Sequence, residues 1–279
     1  MQPLFANSAW VAAPEALLLK GGGWRRIRLR VRYGLVRHPV IGPVLIDTGY
    51  TAHSLAAPGR SLPLRAYGQL LRPQMNAAEQ PEVFLARHGL GPADIACVIL
   101  THFHADHVSG LRLFPKARFI ASAAAWRGIK QNRAWANLRH GVFPELLPAD
   151  FEARLSPLEQ MPAAKAAALP VGFSEAGDLF GDGSVLAVAL PGHAAGQFGL
   201  YFPQLDPPLL YAVDAQWLLA ALIPGRSPGG AAGWIADDPT ALGSTAAALR
   251  RFQAAGGELM LCHDPAATRY DLPSSEAGA

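Results

Sequence analysis

A short stretch near the middle of the chain concentrates side chains that could bind a metal ion. Residues 100–110 read LTHFHADHVSG and include His102, His104, Asp106 and His107. Three of the nine histidines of the chain therefore lie together, beside a carboxylate. Imidazole and carboxylate groups packed this closely are costly to bury unless they are paired. A bound cation would pair with all of them, so the stretch predicts part of a metal site.

Candidate ligands also follow other apolar runs, which the sequence predicts as buried strands. Five such runs stop at an acidic residue or a histidine, namely Asp47, His102, His193, Asp214 and His263. A single histidine after a strand is more often a hydrogen-bonded core residue, but five such endings favour a common site. If the strand ends share one edge of the packed sheets, their side chains converge on rigid elements without long loops.

The number of candidate ligands predicts two metal ions. The set comprises five histidines and two aspartates: His102, His104, Asp106, His107, His193, Asp214 and His263. One tetrahedral zinc takes about four ligands, so seven suit two metals about 3.5–4 Å apart with one bridging carboxylate. Imidazole and carboxylate ligands favour Zn²⁺, with Mn²⁺, Fe and Co²⁺ as alternatives.

The composition is that of a globular protein with a sizeable core. Of the 279 residues, 51% are apolar and 16% are charged, which excludes intrinsic disorder. The net charge of +3 is too small to indicate a nucleic-acid partner, and no apolar run approaches the roughly 20 residues of a membrane span. Cys97 and Cys262 lie in apolar runs and are predicted to be buried and unpaired. Because the N-terminus lacks the basic start of a secretory signal, we expect a cytoplasmic protein.

The elements that would position the ligands are short strands and a few helices. Strands are predicted at 43–46, 97–100, 117–121, 184–190, 199–202, 209–213 and 258–262. A helix is predicted from Asp238 to about Ala255, because Asp238 can cap its first turn and Gly256 can end it. A shorter helix is predicted at 81–90, and residues 52–80 are interpreted as a long loop or lid.

No repeat or linker divides the chain, so a single domain spanning 1–279 is predicted. The metal site would lie within about residues 40–265. Residues 125–170 look helical and are interpreted as an inserted helical cap. The small, polar segment 272–279 is expected to be a frayed tail.

Segment 25–32 carries a stripe of basic side chains. Arg26, Arg28, Arg30 and Arg32 alternate with apolar residues, which predicts a half-buried strand with one basic face. Two interpretations remain open for this face: a solvated surface, or a surface that attracts anionic substrates or partners.

The order of the candidate ligands resembles that of a known family, the metallo-β-lactamase superfamily of hydrolases. The resemblance is carried by His102-Phe-His104-Ala-Asp106-His107, Pro191-Gly192-His193, Asp214 and His263, with Asp47-Thr48-Gly49 upstream. It covers roughly residues 27–265. It implies an α/β fold, specifically an αββα four-layer sandwich in which two central sheets are flanked by helices.

The resemblance also implies a role for each candidate ligand. One metal site would comprise His102, His104 and His193. The other would comprise Asp106, His107 and His263, with Asp214 bridging the two metals. Asp47 would hold the metal-binding loop from behind the ligands. An aspartate that merely caps the turn before Thr48 and Gly49 is an equal alternative for that position.

The activity implied by the resemblance is hydrolysis of a small molecule at a dinuclear metal centre. A hydroxide between the metals would attack a carboxylic ester or lactone, and Asp106 would pass on a proton. The chain looks most like the lactonase and organophosphate-hydrolase branch of the family. A phosphotriester or phosphodiester hydrolase is the alternative, and an iron-dependent redox enzyme is a distant one. Neither nucleic acid nor membrane is an expected partner, and a homodimer is left open.

The predicted substrate pocket departs from the lactonase pattern. Lactonases of this type place a tyrosine three residues after the bridging aspartate, whereas this chain has Trp217 there. Trp217 is interpreted as a wall of the pocket, with a core position as the alternative. His53 and His140 lie in segments that could overhang the site, and they are the other candidates for substrate contact.

Overall fold

Two β-sheets pack face to face in this protein, and helices cover their outer faces. The computed structural model describes residues 1–52, 57 and 59–273. In chain order the strands are β1 (Leu4–Pro14), β2 (Arg26–His38), β3 (Gly42–Ile46), β4 (Gln74–Met75), β5 (Cys97–Ile99), β6 (Arg118–Ala121), β7 (Leu155–Pro157), β8 (Gly177–Asp178), β9 (Leu186–Ala189), β10 (Phe198–Phe202), β11 (Leu209–Tyr211) and β12 (Glu258–Met260).

The helices lie mostly between strands. The described α-helices are α1 (Glu15–Leu18), α2 (Leu62–Leu71), α3 (Pro81–Arg87), α4 (Ala105–Val108), α5 (Ala123–Gln131), α6 (Ala134–Arg139), α7 (Gly230–Ile235) and α8 (Pro239–Ala254). Single 3₁₀ turns occur at Ala77–Glu79, Pro92–Asp94, Leu111–Leu113, Pro144–Leu146, Glu152–Arg154, Leu158–Gln160, Ala166–Ala168 and Leu219–Leu222.

The two sheets differ in size and strand direction. The first has the order β4-β1-β2-β3-β5-β6-β7, and the second has the order β12-β11-β10-β9-β8. In the first sheet, β3, β5, β6 and β7 run parallel to one another. In the second sheet, β11 and β12 are parallel, and the remaining pairs are antiparallel. Parallel neighbouring strands have their carboxyl ends at the same edge of the sheet. The candidate ligands come just after these strand ends, so they lie at that edge.

The alternation of side chains along the strands builds three apolar layers. In β3, Val44 and Ile46 face the second sheet, whereas Leu45 packs on the outer side with the helices. In β9, Ala187 lies between the sheets, whereas Val188 packs in the layer that holds α8. This arrangement of helix, sheet, sheet and helix is the αββα sandwich, so the predicted fold class is confirmed.

Helix α8 begins where the sequence predicts it. The Asp238 side chain accepts hydrogen bonds from the backbone N–H groups of Thr240 and Ala241, and Pro239 occupies the first turn. Such a cap contributes about 1 kcal/mol. Gly256, at φ 90°, lies just beyond the helix in a backbone conformation that favours glycine.

The predictions for two segments, the loop 52–80 and the helical cap 125–170, need correction. The predicted loop 52–80 contains helix α2, because Ser61 caps its N-terminus and Pro63 fits its first turn. In the predicted helical cap 125–170, α-helix is confined to the first part, α5 and α6. Beyond Phe143 the segment forms 3₁₀ turns and strand β7, which joins the first sheet beside β6. Phe151 is buried in the core, so this part of the segment belongs to the sandwich.

The basic stripe of β2 is not a uniform surface. Arg26 and Arg28 are exposed, whereas Arg32 is fully buried. The Arg32 guanidinium forms two hydrogen bonds with the Asp271 carboxylate, at 2.8 and 3.0 Å, and donates others to backbone carbonyls of residues 261–266. The solvated-face interpretation is therefore wrong for Arg32, which anchors the segment after β12.

The segment after β12 is hydrogen-bonded to the sandwich as far as Leu272, whose N–H donates to the Phe5 carbonyl at 2.8 Å. The rest of the predicted tail, 274–279, lies outside the described residues. In the part of the chain that the structure covers, no helix has the length and apolar character needed to cross a membrane.

Candidate metal centre

The candidate ligands meet at one edge of the sandwich, where strands from both sheets end. From the first sheet, β3 leads to Asp47, and β5 leads through Thr101 to the His102 segment. From the second sheet, β9, β11 and β12 lead to His193, Asp214 and His263, respectively. All of these side chains are buried. The convergence expected from the strand endings is therefore present.

One group of potential ligand atoms comes from His102, His104, His193 and Asp214, which all lie within 4.8 Å of one another. His193 Nε2 is 3.1 Å from His104 Nδ1 and 3.5 Å from Asp214 Oδ2. Ligands about 2.0–2.1 Å from a tetrahedral metal are roughly 3.3 Å apart. The spacing of these atoms therefore suits a single metal ion between them.

A second group comprises His107, His263, Asp214 and Cys262, again within 4.8 Å of one another. Asp106 also belongs near this group, because its Oδ2 is 3.3 Å from His263 Nε2 and 3.7 Å from His107 Nε2. The structure thus brings all seven predicted ligands together. It adds the thiol of Cys262, which was predicted only as a buried apolar residue.

Asp214 lies between the two groups. Its Oδ2 is 3.0 Å from His263 Nε2, 3.6 Å from His107 Nε2 and 3.5 Å from His193 Nε2. Its other oxygen, Oδ1, is buried and has no hydrogen-bond partner among the described residues. A carboxylate shared in this way is the geometry expected of a ligand that bridges two metals.

The unsatisfied atoms of the centre test whether a metal fits it. His102 Nε2 and His107 Nε2 are buried and, like Asp214 Oδ1, lack hydrogen-bond partners in the described part of the chain. Buried polar atoms are rarely left without a partner. Imidazole nitrogen and carboxylate oxygen are also the donors that zinc and similar ions take. The residues present therefore fit a metal at each group.

Asp47 fixes the orientation of His107. Its Oδ2 accepts a hydrogen bond from His107 Nδ1 at 2.8 Å and another from the Thr101 hydroxyl at 2.8 Å, while Oδ1 accepts from the Thr101 N–H at 2.9 Å. Because Nδ1 of His107 donates its hydrogen to Asp47, the lone pair of the neutral ring is on Nε2, which faces the second group. Asp47 therefore contacts the ring of a candidate ligand as well as the backbone at Thr101.

Burial and neighbouring charges divide the histidines into two sets. Burial and repulsion from neighbouring imidazoles hold the pKa of His102 well below its usual value, and burial lowers the pKa of His104 to about 4 and that of His193 to about 3. These three rings are therefore uncharged at neutral pH, and each has a nitrogen that can bind a metal. Burial also disfavours charge on His107 and His263, but nearby carboxylates outweigh it and raise the pKa of both well above the usual value. A cation at the second group would take the place of these protons.

Backbone strain accompanies the centre. Three non-glycine residues in the described part of the chain have positive φ: Asp47 at 56°, Arg72 at 45° and Val213 at 51°. Asp47 belongs to the centre, and Val213 directly precedes Asp214. Such a backbone conformation is uncommon outside glycine and is an outlier for a β-branched residue such as Val213. The strained backbone therefore lies at the two turns that orient the carboxylates of Asp47 and Asp214.

The three residues predicted to contact substrate differ in where they lie. The half-buried ring of Trp217 lies edge-on to His193 and His263, with ring centroids 6.1 and 6.0 Å apart, respectively. Trp217 also packs against a small apolar cluster that includes Leu218, so it contacts both the ligands and the core. His140 lines a cavity beside His104. His53 lies outside the described residues.

Several residues near the centre had no distinctive sequence signal. Thr101 bonds both oxygens of Asp47. The hydroxyl groups of Tyr50 and Tyr67 are 3.0 Å apart, and burial together with the nearby Asp106 carboxylate raises the pKa of Tyr67. Tyr67 belongs to α2, within the segment predicted as a loop. The position of Cys262 directly before His263 was the one available hint that its thiol lies beside this centre.

Comparison with known proteins identifies similar chains. The family model for the metallo-β-lactamase superfamily matches residues 29–215. The probable metallo-hydrolase Mb2322c of Mycobacterium bovis is 34% identical over 87 residues, which are 31% of this chain and 27% of that protein. The N-acyl homoserine lactonase AiiB of Agrobacterium fabrum is 40% identical over 80 residues, 28% of each protein. The matched segments therefore span less than a third of either relative.

Solved structures extend the similarity to nearly the whole fold. An N-acyl homoserine lactone hydrolase, with the product N-hexanoyl-L-homoserine bound at its catalytic metal centre, superposes with a TM-score of 0.69. The match covers 95% of both chains at 17% sequence identity. At this identity the superposition shows a shared fold.

Proposed function

This chain belongs to the metallo-β-lactamase superfamily, and from this premise we propose that it is a metal-dependent hydrolase of carboxylic esters or lactones. The observation that carries the proposal is the pair of buried ligand groups that share Asp214. Hydrolases and lactonases among the similar proteins support the choice of reaction. The substrate is a small molecule on this proposal.

We propose two divalent ions, preferably zinc. His102, His104 and His193 would hold one, Asp106, His107 and His263 the other, and Asp214 would contact both. When bound, such ions acidify a water molecule and polarise the substrate carbonyl. Cys262 is a further donor at the second group, and a thiolate there favours zinc over harder ions such as magnesium or manganese.

Asp106 is the proposed proton carrier of the reaction. It is 8% exposed and, through Oδ2, lies 3.3 Å from His263 Nε2. Attack of water on an ester releases a proton, and the leaving alkoxide needs one. A carboxylate at the edge of the centre is placed to accept the first and supply the second.

Metal analysis tests the dinuclear proposal. We expect the purified protein, saturated with Zn²⁺ and freed of excess, to retain two equivalents per chain, because seven ligands exceed one tetrahedral shell. Elemental analysis measures the stoichiometry, and a panel of an aryl ester, a homoserine lactone and an aryl phosphotriester measures the reaction. Full activity with one equivalent or less would overturn the dinuclear centre. Turnover of the phosphotriester alone would overturn the ester and lactone assignment.

Trp217 gives a prediction about leaving groups. Its indole N–H can donate a hydrogen bond but the ring is bulky and does not ionise, so we interpret it as a wall of the pocket. The metals would then carry most of the oxyanion stabilisation, for which a well-placed donor is worth about 2.7–4 kcal/mol. We therefore expect aryl esters to react faster than homoserine lactones. The measurement compares wild type with Trp217→Tyr and Trp217→Phe on both substrates.

Two results would contradict that view of Trp217. A wild type that already prefers the lactone would show that the missing tyrosine costs nothing. If Trp217→Tyr and Trp217→Phe lower only the melting temperature and leave the ratio of ester to lactone rates unchanged, the ring stabilises the core and does not line the pocket.

A further inference from the structure

A cavity of about 310 Å³ lies beside His104. This volume is at the lower end of the roughly 300–1,000 Å³ typical of small-molecule sites. Most of its wall is apolar, with side chains of Phe103, Ala125, Ile129 and Val142, and Gly128 leaves room along α5. Because a candidate metal ligand also lines it, the cavity adjoins the place where a substrate would react.

Two polar side chains on this wall, Ser122 and Asn137, already form hydrogen bonds within the protein. The Ser122 hydroxyl donates to Glu159 and accepts from the Ala125 N–H. The Asn137 amide donates to the Ile129 carbonyl and accepts from Asn132. These groups have little bonding capacity left for a ligand.

His140 differs from them, because only one of its ring nitrogens is engaged. Its Nδ1 is 2.8 Å from Asp237 Oδ1 and 3.0 Å from the Ile235 carbonyl oxygen. Its Nε2 has no hydrogen-bond partner among the residues that the structure describes. Since both partners of Nδ1 are acceptors, the hydrogen of the neutral ring is on Nδ1 and the lone pair is on Nε2.

Asp237 holds this arrangement against the metal-binding loop. Its Oδ2 accepts a hydrogen bond from the Ala195 N–H at 2.6 Å, and its own N–H donates to the His193 carbonyl at 3.2 Å. The turn after His140 is fixed too, because the Gly141 carbonyl accepts from the Ala105 N–H at 3.0 Å. His140 is therefore attached to both loops that carry ligands of the first group.

We propose that His140, oriented by Asp237, determines substrate specificity by accepting a hydrogen bond at Nε2 from the substrate. The inference rests on the proposed hydrolase function and adds the feature that the substrate must carry. That feature is an amide N–H or a hydroxyl close to the reacting carbonyl, next to an apolar group that fills the cavity. A substrate without such a donor leaves Nε2 unpaired when water is displaced, and this costs affinity.

A matched pair of compounds tests the hydrogen bond. N-Hexanoyl-L-homoserine lactone carries the amide N–H, and its N-methyl derivative lacks it. We expect the zinc-loaded wild type to prefer the first by about tenfold in kcat/KM, mainly through KM, as for one net hydrogen bond. His140→Phe should reduce this ratio to about one, and His140→Gln, whose side-chain oxygen can accept, should restore part of it. An unchanged ratio in His140→Phe would overturn the proposal.

Binding separates this inference from the proposed reaction. Calorimetry with the ring-opened product N-hexanoyl-L-homoserine and its N-methyl derivative needs no turnover. Tighter binding of the N–H compound in a zinc-loaded protein that hydrolyses neither the lactones nor the aryl ester would refute the hydrolase and keep the role of His140. Equal affinities, or no binding of either compound, would overturn the role of His140.

The ring nitrogens of His140 provide a measurement that separates substrate contact from a purely structural role. Only substrate contact should change the environment of Nε2 when a ligand binds. In ¹⁵N NMR of the wild type in mildly alkaline buffer, we expect the hydrogen on Nδ1 and a shift of the Nε2 signal when the N–H product is added. A hydrogen on Nε2 in the free protein, or an Nε2 signal that does not respond to the product, would contradict the proposal.

Filling the cavity provides a test independent of His140. A β-carbon added at Gly128 meets no atom within 4 Å, and the same holds at Gly243 in α8, which does not line the cavity. We expect Gly128→Leu to raise KM for the hexanoyl lactone severalfold, whereas the control Gly243→Leu leaves it unchanged. Equal KM values in the two variants would show that the substrate does not use this cavity.

Discussion

Replacing Asp214 with alanine should remove metal from both ligand groups and lower the hydrolysis rate by at least about a thousandfold, since a metal supplies several kcal/mol to such reactions. Asp214 Oδ2 is within 3.6 Å of nitrogens from His193, His107 and His263. The substitution therefore removes a ligand from each group at once. Elemental analysis and rates for the best substrate of the panel measure the effect.

His263→Ala is the matched control for Asp214→Ala. It removes one ligand from the second group and leaves His102, His104, His193 and Asp214 of the first group intact. We expect this variant to retain about one equivalent of metal and to lose less activity. If the two variants had the same metal content and the same rate, Asp214 would not be the bridging ligand. Circular dichroism of both apo-proteins verifies that the fold survives.

Replacing Asp47 should weaken metal binding although Asp47 is not itself one of the proposed ligands. Asp47→Ala leaves the Thr101 N–H and the His107 ring without their buried partner, which costs about 3–5 kcal/mol of folding free energy. Loss of a group that orients a metal ligand typically lowers metal affinity by about 10–100-fold. Denaturant titration measures the first effect, and competition with a chelator measures the second.

Asp47→Asn distinguishes orientation of His107 from capping of a turn. Asparagine is well suited to the positive φ of residue 47, so the turn should survive. Its amide, however, offers a donor where the carboxylate accepted hydrogen bonds from both Thr101 and His107. If the His107 ring changes tautomer in response, Nε2 gains a hydrogen and cannot bind metal.

The control for this substitution is Asp178→Asn, because Asp178 accepts backbone hydrogen bonds in a turn remote from the centre. We expect metal affinity to fall in Asp47→Asn and to be unchanged in Asp178→Asn. If Asp47→Asn bound metal as tightly as the wild type, the role of Asp47 would be limited to capping the turn.

The sequence was most informative where chemistry and local structure coincide. The spacing of His102, His104, Asp106 and His107 is a local pattern, and each remaining candidate ligand lies within a few residues of the end of an apolar strand. Because strand ends of a layered fold gather at one edge, the convergence of the seven predicted residues followed from short-range signals, whereas the Cys262 thiol beside them did not. The two sheets and the capping of α8 were accessible for the same reason.

Long-range pairings could not be predicted in this way. Nothing near His140 indicates that Asp237, almost a hundred positions later, will bind its Nδ1. The buried Arg32 likewise looks identical to its exposed neighbours Arg26 and Arg28, because its difference depends on Asp271. Helix α2 was missed because Gly68 and Pro63 weaken its helical pattern, while the cap at Ser61 and the buried Leu64 outweigh them in the folded protein.

The buried guanidinium of Arg32 has a consequence for the order of events during synthesis. Its partners, Asp271 and the carbonyls of Cys262 and Asp264 on either side of His263, are made more than 200 residues after it. A lone charge is costly to bury, so we expect the middle of β2 to stay solvated until that late segment is available. The same segment delivers His263, whose Nδ1 then bonds the Arg30 carbonyl at 2.6 Å. A chain that ends before this segment lacks His263 and the Asp271 partner of Arg32. If the proposed second metal site forms, we therefore expect it to be filled only after residue 271 has been made.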